Sequence, residues 1–423
     1  MVAAAFEWAV TTGIERAFRA DAPRILGAVA RYTGDLMLAE DAVQEAFVRV
    51  LAEAAAGREP ANPAAWITTV ARRIAVDMVR RDRIAARAVP ALAAELALAE
   101  REEGEMHTGE PFTGDERLEV ILLVCHPEVS EEARVALALR FVCGVPTARI
   151  AEVFLVQEAT MAARLTRAKH RIHESRIRFS ADDPAELTSR LPDALTTIYL
   201  LFTVGHSGTE AGLRRDAIAL ARDAVRLRPD DLEATGLLAL LLLTEARQST
   251  RVTSEDEFVT LAEADRRRWD RDLMAEGERL ATDAVASGGR FGLQAAIAGL
   301  HDIAPSWEAT DWPSIARLYD GLVRVWPSTA ARLGRIVARG YSPDVGPLAA
   351  LGELDADPQL VAGVLAAQAF AARADLARLA GDTRAASADY RRAAELTTDD
   401  RVRRFLGRRR TELAAAGGPP PIG

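Results

Sequence analysis

Thr160, Arg164, Arg167 and Arg171 recur at steps of three and four, which places them on one face of a helix with Lys169 at its margin. Met161, Leu165, Ala168 and Ile172 repeat with the same spacing and mark a buried stripe on the other side. Residues 158–178 hold six basic and two acidic side chains, a local charge of +4 in a chain whose net charge is −9. A concentrated basic face suits phosphate, the sequence-independent part of nucleic-acid binding.

The segments that must position this helix precede it. "EEARVALALRFV" predicts a helix over 131–142, Gly-Val-Pro a turn, "TARIAEVF" a short helix over 147–154, and a tight turn follows. That order is helix-turn-helix geometry, with the last helix in the major groove. Glu158, Ala159, Thr160 and Met161, near its start, would lie closest to base edges. Arg164, Arg167 and Lys169 would grip phosphate, which orients a protein without reading sequence. An amphipathic bundle helix with a solvated arginine face is the competing reading.

Two earlier helices carry contrasting faces. "LMLAEDAVQEAFVRVLAEA" (36–54) sets Leu36, Ala39, Val43, Phe47 and Val50 on one side. Asp41, Gln44, Glu45 and Val48 lie on the other, with Arg49 at the edge. A solvated face usually mixes signs at i,i+4; this one is mostly acid and amide, which suits docking to a basic partner. In "NPAAWITTVARRIAVDMVRRDR" (62–83), Asn62 caps the helix, Pro63 occupies its first turn, and Ile67, Val70, Ile74 and Met78 are buried. Arg73, Arg80 and Arg83 line another side, flanked by Arg72 and Arg81.

The remainder is also helical in pattern, so the fold class is all-α. At 423 residues the chain is expected to form two to four domains. Residues 85–115 read as a flexible acidic linker, 116–179 as the helix-turn-helix domain, and "SADDPAEL" (180–187) as a boundary. From 184 to about 415 the chain reads as a helical extension, and 416–423 as a disordered tail. "DAVRLRPDD", "GLVRVWPST" and "RAAELTTDD" begin at 223, 321 and 392, near multiples of the roughly 34-residue tetratricopeptide period. A bundle with coincidental spacing would look similar.

No window is apolar enough to span a membrane, and Glu7 interrupts the apolar start before a signal peptide could form, so a cytoplasmic protein without membrane contact is expected. Cys125 and Cys143 read as buried structural residues, with too few ligands beside them for a zinc site. His301, near Asp302 and Trp307, reads as packing or capping. No phosphate loop, nucleophile elbow or paired carboxylates occur, so neither catalysis nor a cofactor or metal is expected.

Taken together, "AEDAVQEAFVRVL", "NPAAWITTVARRIAVDMVRRDR" and "LALRFVCGVPTARIAEVFLVQEATMAARLTRAKHRI" resemble the extracytoplasmic-function class of bacterial RNA polymerase sigma factors over residues 9–179. "TTIYLLFTVGHSGT", "EATGLLALLLLTEAR" and "LQAAIAGLHDIAPSWEATDWPSIARLYDGL" resemble the long C-terminal extension of one branch, which is similar to tetratricopeptide repeats. The resemblance implies sigma domain 2 over 9–84 and sigma domain 4 over 116–179. It implies that Asp41, Gln44, Glu45 and Arg49 dock on the β′ coiled coil of core polymerase, whose β subunit is also a partner. The loop 54–62 and Asn62, Arg72, Arg73, Arg80 and Arg81 would engage the promoter −10 element, flipping one non-template base at a cost of a few kcal/mol. The helix from Glu158 would read the −35 element.

Arg73 stands where the class usually has Asn or another small polar residue, which leaves the −10 contacts open. Trp66 is either a stacking platform or, beside Ile67 and Val70, a core residue. In this branch YCII-related small proteins are implied as candidate targets or partners, and the extension would regulate or assist initiation. The alternatives are an independent helix-turn-helix regulator with a partner-sensing repeat domain, and a helical scaffold whose basic faces only solvate it.

Overall fold

The computed structural model describes residues 22, 25–30, 32–33, 35–58, 60–87, 116–174, 184–207, 211–253 and 255–416. Within these the chain is helical and lacks strands, with one isolated bridge between Val252 and Phe258. The expected linker, apart from Ala85–Arg87, and the tail beyond 416 lie outside the described residues, as does the side chain of Arg83. The chain divides into two compact units, residues 1–224 and 225–423.

In the first unit, α1 (Leu36–Ala55) and α2 (Pro63–Arg87) pack against each other. The Asp35 carboxylate starts α1 by accepting from the amides of Met37 and Leu38 at 2.8 and 3.1 Å. Asn62 starts α2 by accepting from the Ala65 amide at 3.1 Å. These caps satisfy amides that a helix leaves unpaired at its first turn. Ala39, Val43, Phe47 and Val50 of α1 and Ile67, Ala71 and Ile74 of α2 are buried, following the 3.6-residue period. Trp66 is half-buried.

The next helices are α3 (Glu116–Val124), α4 (Glu131–Leu137, continued by a π-helical turn to Val142), α5 (Thr147–Val153) and α6 (Glu158–Glu174). Gly144, at φ 69°, turns the chain between α4 and α5 in a conformation that disfavours a Cβ. Leu155, at φ 57°, closes the turn between α5 and α6. Met161, Leu165, Ala168 and Ile172 are all buried. Cys125 and Cys143 are buried thiols, not joined in a disulfide, and desolvation pushes the Cys125 thiol up to about 12. The unit continues through α7 (Pro184–Ser189), α8 (Leu191–Ser207) and α9 (Ala211–Leu227). The sequence boundary at 180–187 is therefore a helix start and not the edge of a compact body, because the apolar face of α8 covers helices α3 to α5.

The second unit stacks helices mainly on their neighbours in the chain: α10 (Leu232–Ala246), α11 (Arg271–Ala284), α12 (Arg290–Ile303), α13 (Trp312–Val325) and α14 (Thr329–Tyr341). There follow α15 (Pro347–Asp355), α16 (Pro358–Ala362), α17 (Ala366–Leu379), α18 (Thr383–Leu396) and α19 (Asp400–Ala416). The three similar segments found in the sequence end α9, α13 and α18, each followed by a short turn and the next helix. The last helix returns to residues 256–263: Arg408 pairs with Glu257 at 2.9 Å, Arg409 with Glu263 at 3.1 Å, and Phe405 meets Phe258 edge-on.

His301 stacks on Trp307, within an aromatic group that includes Trp312 and Tyr341. Next to it, the buried Asp302 faces the Arg247 guanidinium at 3.1 Å. Burial pushes Asp302 up to about 6 and His301 down to about 4. Asp302 thus contributes stability below its ordinary value near 3.8 that is lost as pH rises through 6, whereas the His301 contribution is present above 6.5 and lost as pH falls through 4. The two slopes oppose one another between pH 4 and 6. Asp302→Asn is expected to unmask the histidine, so that melting curves show stability falling by on the order of 2 kcal/mol more than in wild type from pH 6.5 to 4. Parallel pH profiles for the two proteins would refute this.

Candidate nucleic-acid interface

Helix α6 presents Glu158, Ala159, Thr160, Arg167 and Arg171 to solvent. Met161 is fully buried, and this corrects its placement beside the base-edge residues: it belongs to the core stripe alone. The reason is geometric, since one residue cannot serve both faces of a 3.6-residue helix. Arg164 is half-buried and bridges to Glu132 of α4 at 2.7 Å, which ties the basic helix to its support.

Lys169 turns away from the open basic face. Its Nζ meets Glu40 Oε2 of α1 at 2.6 Å and lies 4.3 Å from the Phe141 ring centroid. Beside this ion pair is a cleft of about 530 Å³ whose lining includes Asp41, Met78, Arg81, Thr166, Lys169 and His170. Residues expected in the sequence to serve three separate surfaces, Asp41, Arg81 and Lys169, are thus brought to one place. The sequence did not single out Glu40. Its only signal was a fourth polar residue beside Asp41 on an otherwise acidic face.

Gln44, Glu45 and Arg49 stay on the open side of α1, where Glu45 and Arg49 form an i,i+4 pair at 2.7 Å. Exposed Val48 and Leu51 lie among them, so this face combines charge with apolar surface that no described residue covers. Asn62, Arg72, Arg73, Arg80 and Arg81 are exposed along α2 and its start. Arg72 lies over the exposed Tyr32 ring at 5.7 Å, an aromatic contact that helical spacing in α2 could not reveal. In the preceding loop, Gly57 adopts φ 75° and Arg58 pairs with Glu53 at 2.7 Å. That pairing holds the Glu53 carboxyl below its ordinary range.

A second set of residues escaped the sequence reading altogether. Arg190 is buried, and its Nη1 donates to the carbonyls of Leu122 and Leu123 at 3.4 and 3.1 Å. Asp193 pairs with Arg134 at 3.0 Å, and burial raises its carboxyl above the usual range. The signal available in the sequence was the helical spacing of Leu191, Ala194, Leu195, Ile198, Leu201 and Phe202, which shows a stripe without showing what it covers.

The chain matches the family described as Sigma-70 region 2 over residues 17–84 and Sigma-70, region 4 over 119–172. Residues 190–285 match a family of unknown function, DUF6596. The uncharacterized protein R00370 of Rhizobium meliloti (strain 1021) is 36% identical over 357 residues, 82% of this chain and 83% of that one. The probable ECF RNA polymerase sigma factor SigI of Mycobacterium tuberculosis is 27% identical over 178 residues, 41% of this chain and 58% of the relative. No solved structure matches the chain. Among the described residues no helix is long and apolar enough to cross a membrane.

Proposed function

The chain belongs to the ECF-type sigma factors that carry a C-terminal extension, a family whose partners are core RNA polymerase and promoter DNA, and from that premise we propose which faces do the work. Promoter-specific initiation is divided between α1 and α2 on one side and α5 and α6 on the other. Asp41, Gln44, Glu45 and Arg49 dock the factor on core polymerase. The exposure of this charged face, with Val48 on it and Leu51 at its edge, carries the assignment. Apolar anchors ringed by charge are the usual anatomy of a docking patch.

Asn62, Arg72, Arg73, Arg80 and Arg81 serve the −10 element, and Glu158, Ala159, Thr160, Arg164, Arg167 and Lys169 serve the −35 element. Domain 2 spans 9–84 and domain 4 begins at 116. Residues 184–415 regulate or assist initiation, with YCII-related small proteins as candidate partners, and the factor works in the cytoplasm, where core polymerase would meet it. Sigma factor families are not enzymes.

The Lys169–Glu40 pair has a consequence for this scheme. While it holds, Lys169 is withheld from phosphate, and α6 walls the cleft beside Asp41 with Thr166, Lys169 and His170. Engagement of polymerase and promoter then requires the two helices to part. Lys169 is the only lysine of the chain, so an amine-reactive reagent reports on that side chain apart from the amino terminus. Glu40→Gln is expected to raise Lys169 labelling several-fold in the free factor. Equal labelling of both proteins would show that the pair restrains nothing.

Co-elution with purified core polymerase tests the docking face. Wild type is expected to co-elute, and Asp41→Ala/Glu45→Ala to weaken binding at least about tenfold, roughly 1.4 kcal/mol for two interfacial charges. Undiminished binding by the double variant would remove this face from the interface. Failure of wild type to bind would remove the polymerase from the scheme.

A further inference from the structure

We infer that the opening helices of the extension, α7 to α9, are part of the promoter-reading domain, and that Arg190 and Asp193 are positioning residues for its helix-turn-helix. This rests on α6 as the −35 helix. The matched families leave a gap here, one ending at 172 and the next beginning at 190. Physically there is no gap in the core. Leu191, Ala194, Leu195, Ile198, Leu201 and Phe202 are each at most 3% exposed, and α8 packs on α3, α4 with its π turn, and α5.

The polar contacts across this seam are specific. A helix leaves its last carbonyls without intrahelical partners. At the end of α3 two of them, from Leu122 and Leu123, accept from Arg190, whose other terminal nitrogen pairs with Glu186 at 2.7 Å. The Arg134–Asp193 bridge joins α4 to α8, with both side chains less than one-fifth exposed. Arg149 of α5 donates to the Val204 carbonyl at 3.1 Å. Arg117 of α3 pairs with Asp216 of α9 at 3.1 Å.

These contacts bear on DNA reading through a short mechanical path. α6 rests on α5 and on α4, the latter also through Arg164 and Glu132. Both supports lean on α8. The angle at which α6 meets the major groove is therefore set in part by residues beyond 184, and packed helices shift as bodies because interiors are close-packed. Arg190 and Asp193 touch no base or phosphate in this scheme. They act by holding α3 and α4 against α8.

The test uses the full-length factor with core polymerase and a promoter that wild-type holoenzyme selects from a randomised library. Open-complex formation is compared on that promoter and on a copy with a scrambled −35 element. Arg190→Met and Asp193→Arg are each expected to cut the intact-to-scrambled ratio at least tenfold. Transcription from a template pre-opened at the −10 element should stay within twofold, a readout that general misfolding would also lower. Arg134→Asp is expected to restore the ratio in the Asp193→Arg background. An unchanged ratio in both single variants would overturn the proposal. If neither variant folds, hydrogen exchange on wild type decides: residues 116–124, 131–137 and 191–207 should open together, and separate earlier opening of 191–207 would overturn it. Core binding by wild type is measured alongside, and its absence would count against the sigma reading alone.

Discussion

Ending the chain at residue 183 is expected to unfold the helix-turn-helix domain, and with it −35 recognition, instead of releasing a working factor from control. The cut removes α8, which packs on α3, α4 and α5 and carries seven buried apolar residues. Full burial of a large apolar side chain is worth about 1.5–3 kcal/mol, so the loss is on the order of 10 kcal/mol as an upper estimate. Whole domains have about 5–15 kcal/mol in hand. The cut also strips Arg190 from the carbonyls of Leu122 and Leu123 and leaves Arg134 without Asp193. Hydrogen exchange on residues 1–183 should show the amides of 116–172 exchanging close to the unfolded rate, while α1 and α2 keep their protection. Full protection of 116–172 in the truncated chain would disprove this. A loss of transcription on such a deletion would therefore say nothing about regulation, which has to be probed by changes within 228–416.

Gly236→Val is expected to destabilise the second unit by about 3 kcal/mol or more, near the upper end of the usual cost of overpacking. A Cβ at Gly236 would stand 2.5 Å from the Gly292 amide nitrogen and 2.8 Å from its Cα. At Gly292 a Cβ would lie 2.5 Å from the Ala284 carbonyl oxygen. These neighbours are backbone atoms, so no side chain can swing aside and α10 and α12 must separate. The separation would loosen the seam around Leu237, Leu241 and Leu242, all buried. Nearby, the Glu233 carboxylate accepts from the amides of Phe291 and Gly292 at the start of α12, and that cap would be strained as well. For a unit of this size each kcal/mol shifts melting by about 2–4 °C, so a fall of roughly 6–12 °C is expected in a calorimetric scan. An unaltered scan would show that the two backbones do not meet in solution as described.

Much of the secondary structure was legible before any coordinates. The predicted helices over 36–54 and 131–142 and the short one over 147–154 occur within a few residues of those bounds, and the basic helix starts at Glu158, since apolar spacing, Asn62-Pro63 and Gly-Val-Pro are local signals. The buried stripe of α6 followed from its period alone, as did the open acidic face of α1. Glycines that allow α10 and α12 to touch carried no such signal, because a glycine inside a helical pattern does not say which neighbour approaches it.

By itself the sequence determined which residues are helical, which side of each helix is apolar, and the likeness of the chain to a sigma factor. Only the tertiary structure decided what each side meets. It took Met161 from the DNA-facing residues, paired Lys169 with Glu40 across 129 residues of chain, and placed α8 over the helix-turn-helix core. The physical reason is common to all three. Periodicity is a property of one helix and survives in one segment of sequence, whereas a long-range ion pair or a covering helix depends on two segments at once, and neither segment alone names its partner.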